Sequence, residues 1–148
     1  MNTRSDEIPG WIPESGFQLR RAGVRFDAVR IDGDAGRELA DALAELTGGD
    51  PGPVVEEATG RRGVYFLVPV GTASYRPWPP GVGRLTAGPG HVSYIPVPAL
   101  DGATWPLSWR YRPSGPDRFV HTLLLRNVLR CEEWETAGTA GVPDTAAD

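Results

Sequence analysis

Apolar and polar residues alternate over several short stretches of this chain and take up helical spacing over two others. Val24, Phe26 and Ala28 alternate with Arg25 and Asp27 ahead of Val29 and Ile31, which predicts a first strand whose phase changes near its end. Asp34 then stands where it can cap a helix; Leu39, Leu43 and Leu46 share one face of that helix, and Gly48 and Gly49 end it. Residues 52–58 (GPVVEEA) and 64–68 (VYFLV) predict two more strands joined by a turn at 59–63. The second is apolar on both faces, hence central and covered. Residues 71–90 hold too much Pro and Gly for regular structure and predict a long irregular loop, a kind of segment that is commonly functional. Strands follow over 91–97 and 104–112, with Pro96 and Pro98 putting the former at an edge and Trp105 and Trp109 on one face of the latter. Asp117 is placed to cap a last helix carrying Phe119, Val120, Leu123, Leu124 and Val128 on a wide apolar face.

The order β, α, β, β, β, β, α fits an α+β domain, a mainly antiparallel sheet with helices packed on one face. The 148 residues suit one domain, placed at 17–134. Residues 1–16, polar and punctuated by Pro and Gly apart from Trp11 and Ile12, and residues 135–148, small and polar, read as flexible tails. Nineteen Gly and fifteen Pro favour short strands and turns over long helices. No apolar run reaches membrane length, and MNTRSDEIPGW lacks the apolar centre of a secretory signal, so the expected location is the cytoplasm, with no membrane partner. Cys131 is the single cysteine, which excludes an intramolecular disulfide, a redox pair and a multi-cysteine zinc site.

Charge changes this picture. All fifteen basic residues are Arg, a side chain that forks onto phosphate and stacks on bases. The net charge of -4 is unevenly spread: residues 1–60 carry six Arg against twelve acids, whereas residues 61–118 carry seven Arg against Asp101 and Asp117 alone. Chain-wide charge argues against indiscriminate nucleic-acid binding, while the middle can present a local cationic surface. Arg61, Arg62, Arg84, Arg110 and Arg112 are the candidate nucleic-acid-binding residues; with Arg76 they are interspersed with Tyr65, Tyr75, Trp78, Trp105, Trp109 and Tyr111. Such a mixture can bind a single strand, with rings stacking on bases. Alternatively Trp105 and Trp109, on one face of their strand, pack beneath the last helix.

Several stretches in order carry a resemblance: RFDAVRIDGD at 25–34, GPV at 52–54, TGRRGVYF at 59–66, PGV at 80–82 and GPGHVSYIPVP at 88–98. Over roughly Gly23 to Trp109 the chain resembles the N-terminal domain of bifunctional DNA primase/polymerases, most closely short, diverged actinobacterial members of that group. The resemblance implies a primase/polymerase-like α+β fold. In active members it implies three elements: an Asp-x-Asp pair at a strand end, a His on a following strand, and a further acid on a later one. Paired Mg²⁺ or Mn²⁺ ions held by such carboxylates clamp the attacking and leaving oxygens of phosphoryl transfer. Asp32 and Asp34 match the first element and are the candidate catalytic and metal-binding residues, although Asp-x-Asp ahead of a helix is also ordinary turn and capping chemistry. Gly63 stands where the His belongs, His91 lies beyond the long loop, and residues 81–90 contain no acid.

The implied function is therefore a catalytically degenerate primase/polymerase-like domain with a nucleotide- or nucleic-acid-binding or regulatory role and no cofactor. Mg²⁺ or Mn²⁺ enters only in the alternative that the chain is an active nucleotidyltransferase. A second alternative is a protein-interaction module anchored on an exposed loop bearing Tyr75 and Trp78. Hydrolase chemistry is disfavoured, since no Gly-x-Ser-x-Gly elbow is present. The glycines at 81–88 lack the Lys-Ser/Thr ending of a phosphate-binding loop. Nothing in the spacing of His91 and His121 marks a metal site, and His121 reads as a residue of the last helix's first turn.

Overall fold

The computed structural model describes residues 8–74 and 76–131. Among the described residues seven strands are formed: β1 (Phe17–Arg21), β2 (Asp27–Asp32), β3 (Val54–Glu57), β4 (Gly63–Val68), β5 (Val82–Leu85), β6 (Tyr94–Pro98) and β7 (Leu107–Tyr111). Helix α1 spans Gly33–Leu46, and the described part of a closing helix, α2, covers residues 122–131. No helix among the described residues is long and apolar enough to cross a membrane.

Strands β5-β2-β4-β3-β7 make one antiparallel sheet, and β1 and β6 a separate antiparallel ribbon. β2 and β3 run parallel, joined through α1, with β4 between them and antiparallel to both, which is a split β-α-β unit. β4 is buried along its whole length, as a strand apolar on both faces must be when each face is covered. On one face Val29, Ile31, Val54, Val64, Phe66 and Val68 pack with Leu39, Ala40 and Leu43 of α1 and Leu125 and Val128 of α2. On the other, Ala28, Val55, Tyr65, Leu67 and Leu107 pack with Ile95 and Val97 of β6 and with Trp11 and Phe26. Both helices thus share one face, and the ribbon covers the opposite one. The α+β class with antiparallel sheets stands.

Several local expectations are corrected. Trp11 and Ile12, read as part of a tail, are 4% and 8% exposed; the Trp11 ring meets Phe26 edge-on at 4.9 Å. The indole is large enough to draw its polar segment into the core. β1 begins just after the expected tail and finds its partner in β6. The expected loop 71–90 contains β5, which pairs with the free edge of β2, as well as a 3₁₀ turn at Thr72–Ser74. The last helix starts at residue 122, not after Asp117, because Phe119 and Val120 are drawn to opposite faces of the sheet and the His121 ring serves as cap. Leu46 and Leu123, expected on apolar faces, are exposed. Trp105 precedes β7 and is 74% exposed, so it does not share a packed face with the half-buried Trp109.

The chain turns sharply where β2 enters α1. Gly33 takes φ +74° and donates its N–H to Arg62 O at 2.9 Å. Three residues on, a Cβ at Gly36 would stand 2.4 Å from Ile31 O and 2.8 Å from Val64 Cβ, so glycine there lets α1 lie directly on the sheet.

Candidate functional site

Asp32 ends β2 and is the N-cap residue of α1, yet its carboxylate makes no capping hydrogen bond. Alternation along β2 puts Val29 and Ile31 on the helix face and Arg30 and Asp32 on the other. Arg30 Nε donates to Asp32 Oδ1 at 2.8 Å, and its guanidinium lies 5.3 Å from the centre of the Tyr65 ring. A Cβ at Gly63 would come within 2.7 Å of Arg30 Nε, so the arginine fills the space that a larger residue at 63 would need. Burial opposes the Arg30 charge, but the hydrogen bond to Asp32 and the nearby acidic groups outweigh it and hold its pKa above the ordinary value. Burial also pushes the Tyr65 phenol up, against the pull of Arg30.

Asp34 lies in the first turn of α1, where its charge favours the helix dipole, and pairs with Arg62 at 3.2 Å. Arg62 itself occupies the β3–β4 turn at φ +58°. The same corner is tied together by Arg37, whose guanidinium donates to the carbonyls of Gly33, Arg62 and Glu57 and pairs with Glu56 at 3.2 Å. Among the described residues no three His, Cys, Asp or Glu side chains come together as a group able to hold a metal ion. His91 folds its ring over Gly88 in its own turn, where a Cβ at 88 would stand 2.5 Å from the imidazole. These two arginine-paired aspartates, joined by no third side chain into a metal-holding group among the described residues, do not fit the donor set of a two-metal centre.

The structure does not bring the five candidate arginines onto one surface. Arg84 is on β5 and Arg110 on β7, the two opposite edges of the sheet. Arg110 grips Asp41 with both Nε and an Nη, at 3.0 and 2.7 Å, and reaches Glu56 at 3.0 Å. The Asp41 bonds are the largest cause of its raised pKa. Asp41 is correspondingly lowered, first by Arg110, and also accepts from Tyr111 Oη at 2.8 Å. Arg112 donates to Leu100 O and faces Asp101 at 3.5 Å. Arg61 is exposed in the hairpin turn. Arg110 and Arg62 are thus engaged in holding the fold.

A second locality joins residues that the sequence separates. Trp78 is half-buried against the helix-side core and donates Nε1–H to Ala73 O at 2.9 Å, so it is no exposed anchor; Tyr75 lies outside the described residues. The Arg126 guanidinium of α2 lies 3.9 Å over the Trp78 ring and donates to Pro77 O and Arg76 O at 3.2 and 2.9 Å. Two cavities flank it. One of about 330 Å³ is lined by Arg76, Trp78, Arg126, Leu129 and Arg130, and another of about 320 Å³ by Thr72, Arg76, His121, Thr122 and Arg126. Burial is the first cause that lowers the Arg126 pKa, followed by the like charges of Arg76 and Arg84. Sequence reading passed over Arg126 and Arg130; their signal is the four-residue spacing that places both on one side of a helix.

Comparison with family models, with curated proteins and with solved structures finds no match to the chain.

Proposed function

We propose that this protein is a non-catalytic relative of the primase/polymerase N-terminal domain that binds phosphate-bearing ligands, nucleotide or nucleic acid, without a metal. One observation carries the reading: Arg30 takes up Asp32 and stands over Gly63, the position where the resembled pattern calls for an imidazole. A guanidinium there supplies the positive charge that a carboxylate otherwise seeks in a cation, and it needs no cofactor. The split β-α-β unit with Asp32 at its strand end is compatible with such an ancestry, although many unrelated proteins share that unit. Phosphate binding follows from the acid-poor cationic middle of the chain and the arginines that gather beside Trp78.

Calorimetry with a nucleoside triphosphate, in EDTA and in millimolar Mn²⁺, tests the metal-free part of the reading. The heat of binding is expected to be the same in both buffers and in Asp32→Ala. Binding that needs Mn²⁺ and is lost in Asp32→Ala would establish the nucleotidyltransferase alternative instead. The interaction-module alternative loses its motivation at Trp78, whose ring is held between the core and Arg126.

A further inference from the structure

We infer that the phosphate ligand is an extended single strand of nucleic acid, and that it lies in the groove between residues 76–79 and α2, with Arg76, Arg126 and Arg130 on its phosphates and Arg84 of the adjoining strand strengthening the field. The inference rests on the phosphate-binding reading above and gives it a place and a ligand. Neither Asp32 nor Asp34 lines this groove.

Three features converge here. First, Arg76 and Arg126 line both cavities and Arg130 joins them in the one beside Trp78, so three arginines line the groove, more than one phosphate needs, while the wall of the second cavity is otherwise mainly apolar. Second, among the described residues no carboxylate pairs with Arg76, Arg84, Arg126 or Arg130, whereas Arg30, Arg37, Arg62 and Arg110 of the Asp32 corner all have acidic partners; Arg20, Arg21, Arg25 and Arg61 also lack one, but they line neither cavity. Crowded like charges cost stability unless a ligand of opposite sign relieves them. Third, Arg126 is fixed in advance by two backbone carbonyls and the indole, which leaves its other N–H groups for an anion at little further loss of side-chain freedom.

The same geometry limits what can be read. Arg126 covers one face of Trp78 and the ring packs on the core, so the indole offers no open platform for a base. Recognition therefore runs through the phosphates, is indifferent to base sequence and weakens with salt.

The test is fluorescence anisotropy of a labelled oligothymidylate with the full chain, comparing wild type, the double variant Arg76→Glu with Arg130→Glu, and the control Arg21→Glu with Arg25→Glu at two exposed positions outside the groove, each checked for folding by circular dichroism. Arg76 and Arg130 are exposed, so their reversal leaves the packed Arg126 in place. The groove variant is expected to bind about tenfold more weakly near physiological salt. Its log–log salt slope should be shallower by about 1.4, at roughly 0.7 per lost single-strand contact. The control should stay near wild type. Equal binding by the groove variant and wild type would overturn the groove while leaving the phosphate-binding reading standing. No binding of the oligothymidylate by wild type even at low salt would overturn the extended strand, and the phosphate-binding reading would fall with it only if the triphosphate also gave no heat in the calorimetry above. Displacement of the strand by a free triphosphate at matched phosphate concentration would assign the groove to a nucleotide and overturn the extended strand.

Discussion

Arg30 and Arg110 illustrate how the same side chain takes different work from its surroundings. Arg30 has space because Gly63 and its cross-strand neighbour Gly83 lack side chains, so its guanidinium turns along the sheet to Asp32. That pairing was legible in part, since residues two apart on a strand share a face; what the sequence could not tell was whether Asp32 would turn to a metal, a helix end or this arginine. Arg110 instead ties β7 to α1 through Asp41. Asp41 has a lowered pKa, so its contribution to stability is fully present above the unfolded carboxylate value of about 3.9 and is lost as pH falls through the lower folded value. Urea titrations of wild type and Asp41→Asn should therefore differ at neutral pH and converge in acid below the carboxylate range. A stability difference that is unchanged by acid would deny the ion pair any part in the tie. Half of the Asp41 side chain is exposed, so a modest effect is expected.

At the scale of elements, the parts that declared themselves in the sequence are those that bury a periodic face. β4, the α1 face of Leu39 and Leu43, and the glycines that end α1 all follow from local pattern. β1 and β5 did not, because each has a mostly exposed or partly exposed sequence and gains its strand character from a partner elsewhere in the chain: β6 for one, the free edge of β2 for the other. The start of α2 was misplaced because Asp117 looked like a cap, whereas the Leu124 N–H finds His121 Nδ1 at 3.3 Å. Replacing His121 by Ala should lower thermal stability by about 1 kcal/mol, and His121→Ser should restore most of it, as expected of a helix cap. If Ala and Ser behave alike, the imidazole contributes nothing to holding that helix end.

For the whole molecule, the position of the arginines could not be read from their order. Arg84 and Arg110 belong to one basic stretch of sequence but to opposite edges of the sheet. Arg76 and Arg126 are far apart in sequence, yet Arg126 donates to Arg76 O. Arg30, Arg37, Arg62 and Arg110 pair with acids and hold the corner around Asp32, Asp34 and α1, whereas Arg76, Arg126 and Arg130, which have no carboxylate partner among the described residues, line the cavity beside Trp78. The central claim is that the Asp32 corner is structural and catalyses no nucleotide transfer. Primer extension and primer synthesis on a single-stranded template, with the full chain, all four nucleoside triphosphates and either Mg²⁺ or Mn²⁺, address it most directly. No template-dependent product is expected from the wild-type chain; product that disappears in Asp32→Ala and in Asp34→Ala would contradict the account.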